Sequence, residues 1–111
     1  MNADVVGADN DFFVRQGDTI NLRCPFSSTR SNIDWAMKNS EERIVVDCVV
    51  QSSYTSLYKV TSTGSGRCDL IISNASEPHG GSYVCYNDDN VVSEDVNLCV
   101  LGKIVVLMEN A

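Results

Sequence analysis

Basic residues are scarce in this chain. Eight Lys and Arg stand against 15 Asp and Glu, which gives a formal net charge of −7 at pH 7. Affinity for nucleic acid comes mainly from cations that neutralise phosphates, and anionic membrane surfaces attract the same cations. The sequence therefore predicts no nucleic-acid partner and no direct insertion of this domain into a membrane.

Long apolar runs and flexible segments are also lacking. No apolar run approaches the roughly 20 residues of a transmembrane helix. Residues 1–4 lack the basic start and apolar stretch of a signal peptide, so we expect the chain to begin as a mature fragment. With 7 Gly, 2 Pro and 43% hydrophobic residues among 111, the composition is that of a folded protein. We predict one domain over residues 1–111, with a core from about 10 to about 109.

The residues of catalytic and metal sites are few. The single histidine, His79, lies in a Pro/Gly turn far in sequence from any activated serine, so we expect it to be exposed in that turn. No two cysteines have the spacing of a zinc site. The polar loop at 87–90 lacks the spacing of a dedicated calcium loop. We predict no enzyme activity, no cofactor and no metal.

Cysteine, in contrast, is abundant. Five in a chain of this length favour disulfides formed in an oxidising compartment, and the odd number leaves one thiol unpaired or bonded outside the chain. The sequon that begins at Asn74 is a glycosylation signal and agrees with secretion. We therefore expect an extracellular protein. The five positions are Cys24, Cys48, Cys68, Cys85 and Cys99.

Short alternating segments dominate the rest of the sequence. Ile20 and Leu22 share one face of a segment, as do Leu70 and Ile72 of another, and the run 44–50 is rich in β-branched residues. Turn signals recur about every 8–12 residues, and no segment has the period of an amphipathic helix. This pattern predicts an all-β sandwich of two antiparallel sheets.

One ordered motif spans nearly the whole chain. Cys24 is followed by Trp35, by a Leu-x-Ile segment and by Gly-x-Tyr-x-Cys ending at Cys85. The motif resembles an immunoglobulin domain and is most similar to the variable (V) set, a Greek-key sandwich. The resemblance implies a disulfide between Cys24 and Cys85 across the sheets, with Trp35 packed against it and the Tyr83 hydroxyl bonded to backbone. It implies a core that contains Ile20, Leu22, Trp35, Leu70, Ile72 and Tyr83.

Two features depart from the family. His79 stands where the family has an Asp that pairs with an Arg, so we expect no such salt bridge with an Arg such as Arg67. The family's aromatic-Gly-x-Gly motif in the last strand is missing, which leaves 95–101 and 103–109 as alternatives for that strand. We favour 103–109, because the other choice leaves the apolar residues 104–108 unpaired.

The remaining cysteines allow more than one pairing. Strand phase turns Cys48 and Cys68 toward the core near the same end of the sandwich, which favours a bond between them. A bond between Cys48 and Cys99 is the alternative. We expect Cys99 to be unpaired or bonded to another domain or chain.

Function is expected from two surfaces. In the resembled family, the sheet of the third, fourth, penultimate and last strands often mediates pairing. Strand phase turns several residues outward there, among them Ala36, Val45, Val49 and Val84. Both signs of charge occur, so the face can be complementary to its own copy. The predicted binding face consists of Asp34, Lys38, Arg43, Asp47 and Tyr86. The second set lies in loops of this chain that would stand at or near the antigen-binding end of an antibody. It consists of Arg30, Tyr54, Tyr58, Asp88 and Asp89.

The resemblance implies the ectodomain of a single-pass cell-surface receptor that recognises a protein on another cell, with a second copy slightly favoured as that protein. The extra cysteines and the final-strand sequence are similar to divergent invertebrate receptors, such as the polymorphic allorecognition receptors of colonial hydrozoans. One alternative is a secreted immune or lectin-like module that binds a soluble or carbohydrate ligand. A buried Trp35 disfavours stacking on sugars. A structural spacer domain is the other alternative.

Overall fold

The computed structural model describes residues 2–5, 11–27, 32–62 and 66–102. These residues form short strands and two 3₁₀ helices, Ser52–Tyr54 and Glu77–His79, and none of them lies in an α-helix. The described part of the chain accordingly has no helix that is long and apolar enough to span a membrane. In chain order the strands are β1 (Asn2–Val5), β2 (Asp11–Arg15), β3 (Thr19–Leu22), β4 (Asp34–Met37), β5 (Arg43–Val46), β6 (Val49–Val50), β7 (Lys59–Ser62), β8 (Cys68–Ile72), β9 (Gly81–Tyr86) and β10 (Val96–Leu101).

The strands form two sheets, which confirms the predicted all-β sandwich. One sheet has four strands in the order β1-β3-β8-β7, and the other has six in the order β2-β10-β9-β4-β5-β6. Most neighbours are antiparallel, but β1 runs parallel to β3 and β2 runs parallel to β10. The sheets are therefore mixed rather than purely antiparallel, because β2 joins the six-stranded sheet beside a last strand that runs in the same direction.

The core follows from strand alternation. Alternate residues of β3 and β8 are fully buried from the four-stranded sheet, and Trp35 and Tyr83 meet them from the six-stranded sheet. Cys24 and Cys85 form a disulfide across the two sheets with a Cα–Cα distance of 6.0 Å. All six predicted core residues are at most 1% exposed: Ile20, Leu22, Trp35, Leu70, Ile72 and Tyr83.

A second disulfide joins Cys48 to Cys68, with a Cα–Cα distance of 5.8 Å. This is the pairing that the sequence favoured, and the alternative partner of Cys48, Cys99, is a free and exposed thiol on β10. Cys68 begins β8 in the four-stranded sheet, whereas Cys48 follows β5 in the six-stranded sheet. The second disulfide therefore also links the two sheets.

The run 44–50 is two strands rather than the single strand that its composition predicted. Asp47 and Cys48 have φ of 52° and 60°, and they form the two-residue turn of a tight hairpin in which Val46 lies opposite Val49. Two positive-φ residues are the requirement of a type I′ turn. The alternation predicted across this run fails, because the chain reverses at Asp47.

Three side chains predicted to point outward are buried. Val45 is 0% exposed and lies opposite Trp35, because the register between β4 and β5 shifts at that point. Ala36 and Val84 lie opposite each other in the middle of the six-stranded sheet and are 1% and 3% exposed. These small side chains lie on two central strands with β10 on one side and β5 on the other, so they are covered even on the outer side of the sheet. Val49, in contrast, is 61% exposed at the edge strand β6.

β10 pairs with β9 and β2 and so takes the place of the last strand, which agrees with the alternative 95–101. The favoured position 103–109 lies outside the described residues. Leu98 lies opposite Gly81 of β9 and Phe12 of β2, and it is buried. The alternation of Leu98 and Val100 toward the core fills this position between two strands. The apolar residues 104–108 lie outside the described part of the chain.

His79 is buried, and the exposed position expected for it was wrong. Its Nδ1 accepts a hydrogen bond from the Ser76 N–H at 2.9 Å, and its Nε2 lies 2.9 Å from the Leu57 carbonyl oxygen, to which it donates. The ring is only 2% exposed because the imidazole satisfies two backbone groups that the turn leaves unpaired. Arg67 lies at the far end of β8 and donates instead to the Cys24 carbonyl.

Tyr58 is also buried, so its assignment to an exposed loop was wrong. Its hydroxyl lies 2.8 Å from the Tyr83 hydroxyl, which in turn donates to the His79 carbonyl at 2.5 Å. Burial is the main cause that raises the pKa of both tyrosines above the ordinary value. A chain of hydrogen-bonded aromatic side chains therefore closes the corner between β8 and β9.

Candidate functional site: the outer face of the six-stranded sheet

The outer face is the side of the six-stranded sheet that points away from the core. At its edge, Phe12 and Val14 pack toward the core, while Phe13 between them is 70% exposed. Alternation along the other strands brings charged, amide, thiol and aromatic groups to the same side. We define the outer face by Phe13, Asp34, Lys38, Arg43, Tyr86, Asn97 and Cys99.

A compact cluster occupies one end of the outer face. Asp34 lies directly opposite Tyr86, and the Arg43 guanidinium lies 3.7 Å from the centroid of the Tyr86 ring. Arg43 Nε is 3.9 Å from Asp34 Oδ2, and Asp34 Oδ1 accepts a hydrogen bond from the Asp47 N–H at 3.0 Å. The structure thus brings together four of the five residues of the predicted binding face, with Asp47 contributing its backbone.

Lys38 makes a separate ion pair. Its Nζ lies 2.5 Å from Asp95 Oδ2, which ties the end of β4 to the residue before β10. The two side chains are 46% and 34% exposed, so solvent screens the pair and it adds little to stability. The pair matters for recognition rather than for stability, because it adds a second pair of opposite charges to the outer face, beside Asp34 and Arg43.

Phe13 and Cys99 lie directly opposite each other at the edge of the outer face. Beside them Ser82 donates to Asn97 Oδ1, and Asn97 Nδ2 donates to Asp11 Oδ1 at 2.7 Å. An open hollow of about 220 Å³ borders these residues. The sequence prediction missed Phe13, although the alternation of residues 12–14 was the signal that would have found it.

The predicted loop contacts do not form one surface. Asp88 and Asp89 are exposed in a turn that Asn87 caps, since its Oδ1 accepts from the N–H groups of Asp89 and Val91 at 2.9 Å each. The hydroxyl of Tyr54 donates to Glu42, and this hydrogen bond is the main cause that raises the pKa of Tyr54. Tyr58 is buried, as described above, and Arg30 lies outside the described residues.

The described residues offer recognition chemistry more than reaction chemistry. Both ring nitrogens of His79 are bonded to backbone, so it is not available as a general base. No group of three or more His, Cys, Asp or Glu within the described ranges is arranged to hold a metal ion. Asp69, which sequence reasoning also missed, is 5% exposed and accepts a hydrogen bond from the Cys24 N–H at 3.4 Å.

A model of the immunoglobulin domain family matches residues 12–96. The chain therefore belongs to the immunoglobulin domain family. No curated protein sequence matches it significantly.

Solved structures of immunoglobulin domains share the fold at low identity. The first immunoglobulin domain of Dpr11, solved bound to DIP-gamma, superposes with a TM-score of 0.70 at 18% identity over 85% of this chain and 100% of that one. The first such domain of the mouse polymeric immunoglobulin receptor gives 0.67 at 12% identity, over 87% and 94%. A ZIG-8 first-domain homodimer gives 0.65 at 18%, over 85% and 80%. At these identities the likeness shows the fold alone.

Proposed function

We propose that this domain is the extracellular recognition domain of a cell-surface receptor and binds a protein on another cell through the outer face. The observation that carries the proposal is Phe13. Its ring is 70% exposed, whereas Tyr83 and Trp35 of the same sheet are buried. An exposed aromatic ring next to an apolar hollow and rimmed by polar groups is the usual composition of a protein-binding surface.

The cluster at the other end of the outer face supports the same role. Tyr and Arg are the residues most enriched among binding hot spots. Here Arg43 is stacked on Tyr86 and faces Asp34, so both side chains are held in place before any partner arrives. Fixing long side chains in advance lowers the conformational entropy lost on binding.

The favoured partner is a second copy of the chain. The outer face carries two pairs of opposite charge, Asp34 with Arg43 and Lys38 with Asp95. Under two-fold symmetry, a positive group of one copy can meet a negative group of the other. The ZIG-8 homodimer and the Dpr11 complex with DIP-gamma are pairs of proteins with this fold, which supports a protein partner.

Sedimentation equilibrium at protein concentrations up to about 100 μM tests the proposal. We expect self-association that Phe13→Lys weakens by at least about tenfold, because an aromatic ring is replaced by a charge at the interface. Thr61→Lys is the matched control, since it makes the same charge change at an exposed position of β7 in the other sheet. Equal effects of the two substitutions would exclude the outer face.

Cell aggregation tests whether the domain mediates recognition between cells. Cells that display the wild-type domain are expected to aggregate with like cells and not with cells that display Phe13→Lys. Chains that stay monomeric throughout the concentration range and whose cells do not aggregate would show that the partner is a different protein. Binding of the wild-type domain to glycans, abolished by changes in the loops and not by Phe13→Lys, would favour the lectin-like alternative.

A further inference from the structure

We infer that Asn74 carries an N-linked glycan and that the glycan is attached before the turn around it folds. Asn74-Ala75-Ser76 is the single Asn-x-Ser/Thr sequon of the sequence. In the structure it lies between β8 and the 3₁₀ helix Glu77–His79. The Asn74 side chain is exposed. The acceptor side chain is therefore accessible from solvent.

The backbone at the acceptor also suits this role. Asn74 has φ of 56°, in the left-handed region that asparagine tolerates better than most residues. Gly17 lies beside the acceptor, and a Cβ built on it would be in ordinary contact, at 3.9 Å, with Asn74 Oδ1.

The attachment is a group transfer from a polyprenyl-diphosphate-linked oligosaccharide. Asn74 Nδ2 forms a bond to C1 of the first sugar, and the bond between C1 and the phosphate oxygen breaks. The polyprenyl diphosphate leaves with the electron pair of that bond, and Nδ2 gives up one proton. No oxidant or reductant is needed.

The other two sequon residues are locked in the folded domain. Ala75 is 0% exposed, its N–H donates to the Asp18 carbonyl at 2.9 Å, and its carbonyl accepts from Gly17 N–H at 2.8 Å. The Ser76 N–H donates to His79 Nδ1, which lies 3.3 Å from the Ser76 hydroxyl oxygen. A transferase that must hold the Ser76 hydroxyl and the extended backbone cannot reach them until these contacts break. The folded turn is therefore a poor acceptor.

The position of the glycan follows from the topology. Gly17 belongs to the turn from β2 to β3, and Asn74 to the turn from β8 to β9, and both turns cross between the sheets at the same end of the sandwich. A sugar on Asn74 projects from that end and not from the outer face. This inference holds whether or not the proposed partner is correct.

Secretion from eukaryotic cells, with a leader fused to the chain, tests the site. We expect the intact mass of the wild-type chain to include one N-glycan that peptide N-glycosidase removes. Asn74→Asp and Asn74→Gly both tolerate positive φ and should be secreted without the glycan. Ser76→Thr, which keeps the sequon and a hydroxyl near His79, should retain it. A secreted wild-type chain without a glycan, or a glycan that persists in both Asn74 variants, would overturn the assignment.

Transfer in vitro tests the order of events. Purified oligosaccharyltransferase with a lipid-linked donor is expected to modify the reduced, unfolded chain and to leave the oxidised, folded domain unmodified. Equal transfer to both forms would show that the turn does not protect the sequon. No transfer to the unfolded chain, while a standard acceptor peptide is modified, would refute the site itself.

Discussion

The disulfide between Cys48 and Cys68 makes a quantitative prediction. It closes a loop with a sequence separation of 20. In the chain-entropy model a loop of that length stabilises the folded state by about 3 kcal/mol. We therefore expect the double substitution Cys48→Ala and Cys68→Ala to lower the free energy of unfolding by about that amount. In a domain of this size such a loss lowers Tm by about 12 °C.

The turn that contains Cys48 allows the loss of the cross-link to be separated from backbone strain. Cys48 has φ of 60°, where a side chain other than glycine costs about 1 kcal/mol. Cys48→Gly with Cys68→Ala removes the same disulfide but creates Asp-Gly, a pair that a type I′ turn prefers. This variant should be more stable than the double alanine variant by about 1 kcal/mol.

Urea unfolding followed by tryptophan fluorescence measures both effects. Trp35 is the single tryptophan, and its Nε1 donates to the Cys68 carbonyl at 2.9 Å, so it reports on this region. The double alanine variant should unfold at a urea concentration lower by about 2 M. Cys99→Ala removes a thiol without a cross-link and should change nothing. A double alanine variant that unfolds together with Cys99→Ala would refute the reasoning.

Two further predictions concern the corner between β8 and β9. Burial raises the pKa of Tyr58 and Tyr83, so their stabilising effect is fully present below the unfolded pKa near 10 and is lost above it, by about 1.4 kcal/mol per pH unit for each tyrosine. In urea titrations between pH 9 and 11, the free energy of unfolding should fall less steeply with pH in Tyr58→Phe/Tyr83→Phe than in the wild-type chain. An equally steep fall would show that these two tyrosines do not cause it. Gly81→Ala should lower the free energy of unfolding by about 1 kcal/mol, because φ is 143°, a backbone conformation that residues with a Cβ rarely adopt; the flexible end of Met37 can move away from the added Cβ. Gly102→Ala, with no described residue within 4 Å of the added Cβ, should be neutral in the same assay.

The core was predictable because it depends on few residue types in a fixed order. The resemblance to the immunoglobulin family implies that Cys24, Trp35 and Cys85 meet between two sheets, and the period-two alternation of the short strands agrees with that arrangement. The pairing of Cys48 with Cys68 followed from strand phase, although the strand that carried the phase ends at a turn. The predicted pairing is nevertheless the observed one, because Cys48 lies at the second position of the turn and is held near β8 there.

The remaining errors have a common physical cause. Periodicity reports which side of a strand is apolar, but it does not report which polar groups find partners. His79 and Tyr58 are polar enough to be predicted at the surface, and both are buried because each meets a partner brought from a distant part of the chain. Phe13 is the opposite case: it is apolar, the sequence analysis assigned it no role, and the strand at the sheet edge leaves it 70% exposed.

The net charge of −7 bears on the choice between partners. Two copies repel each other at long range, and a basic partner would be attracted. At physiological ionic strength charges are screened beyond about 8 Å, so local groups decide a close contact. On the outer face Asp34 is paired with Arg43 and Lys38 with Asp95, whereas the exposed carboxylates of Asp11 and Asp47 beside them add negative charge. Added salt should therefore strengthen self-association slightly, whereas it would weaken binding to a basic partner, and the sign of the salt dependence distinguishes the two.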